Sequence, residues 1–135
     1  MDSRERLRRV RDARVGRLAT VDGEGRPHLV PVCFALVGDL LYSAVDQKPK
    51  RGKRLRRLDN IAATGRASLL IDEYDEDWAR LWWVRVDGGA RLVDDPTEAD
   101  RALRALIDKY PQYARQPPPG PVFAIEPHTW VGWPT

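Results

Sequence analysis

The chain is poor in the residues that carry much of protein chemistry. It has one cysteine, Cys33, and two histidines, His28 and His128, so an internal disulfide is impossible and clustered Cys/His zinc sites are excluded. No metal site is expected. No apolar run approaches the roughly 18 residues that a membrane span requires, which excludes a transmembrane reading. The opening stretch MDSRERLRRVRDAR is charged almost throughout and lacks the apolar core of a secretory signal. A reduced, cytoplasmic protein is the expectation. Also missing are GxGxxG, Walker A and Gly-x-Ser-x-Gly patterns, so Rossmann dinucleotide binding, P-loop hydrolysis and α/β-hydrolase chemistry have no motif to rest on.

What is present is an uneven distribution of charge. The 135 residues carry a formal charge of +3, yet Lys48 to Arg57 hold seven basic residues and no acid. The remainder, 16 basic against 20 acidic, is mildly acidic. One basic island on an acidic body points to a local anion site rather than a nucleic-acid coat. No aromatic side chains are interleaved with the basic ones, so nucleic-acid binding ranks last.

The length fits one domain over 1–135. Residues 3–14, with Leu7, Val10 and Ala13 at helical spacing behind Asp2 and Ser3, read as a short amphipathic helix. A strand from Val15 to Val21, the reversal Asp22-Gly-Glu-Gly25 and a strand from Pro27 to Leu36 read as a hairpin. Pro31 cannot donate to a ladder, so its strand is an edge, bulges, or leaves its neighbours free for a ligand. Leu40–Val45 completes a meander. The island then begins as a loop at Pro49 and becomes helical around Gly52, with Leu55, Leu58 and Ile61 on one face and Gly65 as the stop. Strands over 66–72 and 81–93 form a second hairpin. Asp95-Pro-Thr-Glu98 opens a helix with an Asp cap, Pro at its first position and Glu at its third, and Pro111 ends it. A closing strand starts at Val122. The result is a mainly β chain, an antiparallel split barrel of six to seven strands of Greek-key type, with two to three short helices.

Lys48, Arg51 and Lys53 lie before or in the first turn of the island's helix, where an anion would relieve their repulsion by the helix dipole. Arg54, Arg56 and Arg57 read as a solvated helix face. Cys33 reads as a packed thiol in an apolar strand, and neither histidine has an obvious nucleophile beside it. Trp82 and Trp83 must point to opposite faces of one strand, one toward the core and the other toward a planar ligand or a subunit interface.

Three blocks, Val15–Phe34, Asp46–Ile61 and Asp75–Gly88, resemble the split-barrel flavin and deazaflavin oxidoreductases related to pyridoxamine 5'-phosphate oxidase. The second and third are similar to the actinobacterial branch that uses coenzyme F420. That resemblance implies a homodimer with the cofactor in a groove at its interface. Pro31, Val32, Ala44 and Val45 would contact the ring system, Lys48, Lys50, Arg51 and Lys53 would take the phosphate, and Trp82 or Trp83 would wall the cavity from either subunit. Asn60 matches an Asn common near this helix, where closing the turn before the next strand is its expected role. The activity implied is hydride transfer between the deazaflavin and a small conjugated or planar acceptor. FMN on the same scaffold and non-catalytic cofactor binding remain as alternatives. No catalytic residue is assigned; solvent, Tyr42 or His28 are the candidate proton sources.

Overall fold

A computed structural model describes residues 1–46 and 55–135. Among them the chain runs α1 (Ser3–Asp12), β1 (Gly16–Val21), β2 (Pro27–Val32), β3 (Ala35–Val37), β4 (Leu40–Ala44), α2 (Arg56–Thr64), β5 (Arg66–Glu73), β6 (Trp82–Leu92), α3 (Pro96–Lys109), α4 (Pro111–Arg115) and β7 (Val122–Trp133). The seven strands form one antiparallel sheet in the order β2-β1-β5-β6-β7-β4-β3. β2 and β3 stand at opposite edges of that sheet, yet only Cys33 and Phe34 separate them. A two-residue link spans at most about 11 Å, so the sheet curls until its edges nearly meet. This is the split barrel, with four helices among the described residues where two to three were expected.

The segment Pro27–Leu36, expected as one strand, therefore divides after Val32: its first part pairs with β1 and its second with β4. Pro31 sits on the free edge opposite Arg17, where its missing N–H leaves no gap in a ladder. The additional helix is α4, which starts at Pro111 as a new first helical position after Tyr110 ends α3. α2 begins at Arg56, later than expected, and ends at Gly65 in the left-handed region at φ 65°. Residues 47–54, which include Gly52, lie outside the described residues.

Burial explains the pattern of each strand. β1 and β5 alternate, with Leu18, Ala67, Leu69 and Ile71 inside, because only one face of each is covered. β4 is buried on both faces: Leu41 joins the barrel interior, whereas Tyr42 and Ala44 face a layer made by α3 and α4 through Ala102, Leu106, Tyr110 and Tyr113. α1 and α2 send Val10 and Leu58 with Ile61 into the interior. The outward side of β2, β1, β5, β6 and the end of β7 keeps its own side chains at the surface, including Leu29 (67% exposed) and Trp133 (41% exposed). No helix among the described residues is long and apolar enough to cross a membrane.

Candidate functional site

Three residues selected from the sequence, Pro31, Val32 and Ala44, come together in one cavity of about 190 Å³. The barrel's seam brings them there, because β2 ends and β4 ends on either side of the Cys33–Phe34 link. Ser43 clamps the seam by donating its hydroxyl to the Cys33 carbonyl at 2.6 Å. Cys33 thus lies in the break between strands, not within a strand, and it lines the cavity. Val45 takes a different place: its side chain is in the main core, its N–H donates to the Pro121 carbonyl, and its own carbonyl accepts from Gly120 N–H.

Asp46, the residue preceding the island's loop, and Arg57, the island's last cation, line this same cavity. The expectation that Arg57 merely faces solvent is corrected here. It stands four residues before the buried Ile61, so the helix turns both toward the barrel. Arg56 is exposed, as expected. Lys48, Lys50, Arg51, Lys53 and Arg54 lie outside the described residues.

Tyr113 closes the cavity from α4, its hydroxyl donating to Asp46 Oδ2 at 3.3 Å. Burial first, then the neighbouring Cys33, pushes its phenol pKa upward, so it stays protonated and able to donate. Tyr110, one turn back, accepts from Phe34 N–H at 3.0 Å and lies within 3.0 Å of the Arg14 carbonyl, fixing the seam from behind. Neither tyrosine was selected from the sequence. Tyr110 closes the apolar stripe of α3, whereas Tyr113 depends on α4, which local periodicity did not announce.

A second cavity, about 480 Å³, shares the lining residue Val15 with the first and lies between α1 and the β5–β6 hairpin. Trp82 is its aromatic wall. The Trp82 indole N–H donates to Glu73 Oε2 at 2.9 Å, and the Arg9 guanidinium lies 4.3 Å from its ring centroid. Trp83 points the other way, beside Arg85 at 5.9 Å and opposite Trp133 in the ladder. Neither tryptophan is fully buried; Trp82, at the rim of the core, is the inward one.

Other sequence candidates stand apart from this groove. Tyr42 donates to Glu98 at 2.6 Å, and burial and that carboxylate push its pKa up to about 12. His28 lines neither cavity; burial, then Arg56 and Arg57, lower its pKa. Asn60 lies inside α2, fully buried, and its amide donates to Thr20 Oγ1 at 3.1 Å, so it fastens α2 to β1 instead of closing a turn. Among the described residues no group of three or more His, Cys, Asp or Glu side chains is placed to hold a metal ion.

The comparisons with known proteins agree with this architecture. The family model described as pyridoxamine 5'-phosphate oxidase matches residues 3–134. No curated protein matches the chain. Among solved structures, a conserved hypothetical protein from Mycobacterium tuberculosis is similar at 21% identity and a TM-score of 0.81, over 98% of this chain and 84% of that one. An FAD-binding protein from Mesorhizobium loti is similar at 23% identity and a TM-score of 0.73, over 98% and 92%. A heme storage protein from Vibrio cholerae shares 16% identity and a TM-score of 0.74, over 97% and 94%. At these identities the structures share the fold. From the family match over nearly its whole length, the chain belongs to the pyridoxamine 5'-phosphate oxidase family.

Proposed function

We propose that this chain is a coenzyme F420-dependent oxidoreductase, a single-domain cytoplasmic protein acting as a homodimer on a small conjugated or planar acceptor. The observation that carries the reading is the convergence of Pro31, Val32 and Ala44 on one cavity that Asp46 and Arg57 also line, at the two ends of the basic island. An apolar strand wall with Arg57 beside it, in a chain whose sequence concentrates positive charge just before that residue, suits a flat ring with an anionic tail. Coenzyme F420 carries a phosphodiester and glutamyl carboxylates, several negative charges where FMN presents one terminal phosphate, and seven basic residues in ten suit the former.

When bound, the deazaflavin supplies the hydride. The protein's tasks are then to hold, orient and shield. In this reading Lys48, Lys50, Arg51 and Lys53, together with Arg57, hold the anionic portion, and Pro31, Val32 and Ala44 bound the ring. Val45 anchors the end of β4, and Trp82 walls the continuation past Val15. The outward sheet face, with Leu29, Trp83 and Trp133, suits burial against a second copy, as the aromatic content of subunit interfaces favours.

FMN or FAD binding on the same scaffold is the second reading, favoured by the FAD-binding relative of the same fold. A titration of the purified protein with coenzyme F420 and with FMN, followed by fluorescence quenching, separates the two. Micromolar or tighter F420 binding that weakens about tenfold or more in Arg57→Ala and further in a Lys48/Arg51/Lys53→Ala triple variant is expected. Tight FMN binding with none of F420 overturns the reading. Turnover of the reduced cofactor with a panel of quinones and enones distinguishes an enzyme from a carrier.

A further inference from the structure

The larger of the two cavities lined by Val15 has a chemistry of its own. Its walls are the C-terminal half of α1, the Ala13–Val15 link, the end of β5 and the Trp82 ring. Three arginines line it, Arg8, Arg9 and Arg14, and three acidic residues, Asp12, Asp72 and Glu73. The two sets are not equally committed. Asp12 is paired with Arg11 at 3.3 Å, Asp72 with Arg17 at 3.6 Å, and Glu73 accepts the Trp82 indole N–H.

On the cationic side, Arg8 and Arg9 share the single carboxylate of Glu5, Arg8 only at 3.9 Å. Arg14 donates to the Lys109 carbonyl at 2.8 Å and lies 4.8 Å from the Tyr110 ring centroid, partners that leave its charge uncompensated. The Trp82 indole leaves the Glu73 charge in place as well, so with their ion-pair partners counted five arginines stand against four carboxylates around an apolar floor of Ala13, Val15, Ile71 and the indole, an excess of one cation. Guanidinium groups bind carboxylates with a planar, two-pronged geometry, and an indole wall favours a flat ring beside them.

We propose that this cavity is a binding site for a planar, apolar molecule bearing a carboxylate, and that such a molecule is the acceptor of the hydride transfer. The acceptor role rests on the cofactor reading above; the binding does not. Val15 lines both this cavity and the one bounded by Pro31 and Val32, and in this proposal it is the wall across which acceptor and ring approach each other.

The test uses the full chain without cofactor. Naphthoate and the neutral naphthylmethanol are titrated separately, and binding is read from the Trp82 indole N–H resonance, identified by its loss in Trp82→Phe. Naphthoate is expected to shift that resonance and to bind about tenfold or more tightly than the alcohol. In an Arg8→Gln/Arg9→Gln variant the preference should vanish, while Arg11→Gln, whose side chain does not line the cavity, retains it. Equal affinity for acid and alcohol, or a shift confined to other tryptophans, overturns the proposal. A second arm adds coenzyme F420. Unchanged naphthoate affinity supports an acceptor site, whereas displacement overturns that role and gives the cavity to the cofactor's glutamyl tail. Failure of F420 to bind at all, with the acid preference intact, overturns the cofactor reading and leaves the carboxylate site standing.

Discussion

The Tyr42 hydroxyl donates to Glu98 Oε2 at 2.6 Å, joining the doubly buried strand β4 to the first turn of α3. Arg91 completes the knot from β6, with two guanidinium bonds of 2.8 Å to Glu98 and a third at 3.1 Å to Glu126. Hydrogen bonds from Arg91, then from Tyr42, hold the Glu98 carboxyl down to about 2 from an ordinary 4.5. A carboxylate whose folded pKa is depressed contributes stability above its unfolded pKa and loses it as pH falls. The knot's contribution is therefore complete at neutral pH and drains between about pH 4.5 and about pH 2. Glu98→Gln is expected to cost about 2 kcal/mol at pH 7 and to flatten the acid limb of a stability profile measured by denaturant unfolding. An acid limb identical to that of the unmodified protein would remove Glu98 from the account.

Asn60 and Thr20 are both buried polar residues, and each is the other's side-chain partner. Leaving one of them alone exposes the cost of an unpaired buried polar group, about 1–3 kcal/mol. Asn60→Leu and Thr20→Val should each destabilise by that order. The double variant should lose less than the two single losses combined, because it leaves no orphan. Additive losses in chemical denaturation would show that the pair does not act as a unit.

Much of this arrangement was legible in the sequence, and the exceptions share a cause. Asp95 caps α3 through the Thr97 N–H, and Asp2 caps α1 through the Glu5 N–H, both as their spacing announces. Glu98 also occupies its expected third position, but its side chain goes to Arg91 and Tyr42, residues 7 and 56 positions away, instead of returning to the cap. The break at Cys33–Phe34 is equally non-local. Besides Ser43 and Lys109 it is held by Tyr110, 76 positions along the chain, and no apolar periodicity in Pro27–Leu36 records that contact. Pro31, Val32 and Ala44 came from the family resemblance and share one cavity, and Arg57 could have been placed beside them from its spacing to Ile61. Tyr113 depended on a five-residue helix whose existence hangs on the α3 layer.

Lys109 donates to the Phe34 carbonyl at 2.9 Å and stands over the Phe34 ring at 4.0 Å. Burial, then the charge of Arg14, pulls its pKa from 10.5 down to about 8, against the opposing pull of Cys33 and Asp12. For a lysine with a lowered folded pKa the unfolded chain holds the extra proton between the two values, so stability rises with pH in that window. Lys109→Met should remove this rise. Unfolding curves compared from pH 8 upward, before the tyrosines of the unfolded chain ionise near 10, should show the unmodified protein gaining relative to the variant. Parallel profiles would mean that the ammonium is as well solvated as a surface lysine.

Leu29 is the most exposed aliphatic side chain on the outward sheet face, paired across β1 with Ala19 and flanked along the edge strand by Pro31. A lone exposed leucine needs no explanation, but this one shares its face with Leu70, Trp83, Val131 and Trp133, none of which a helix covers. If the proposed homodimer closes over this face, a charge at its apolar edge must be desolvated on association. That penalty falls on the dimer and spares the monomer, since position 29 is already in water. Leu29→Glu should therefore lower the apparent mass by light scattering at concentrations where the unmodified protein is dimeric, with an unchanged monomer melting curve. Association that withstands both Leu29→Glu and Val131→Glu would put the subunit contact on another surface, and would free this sheet face from the role given to it.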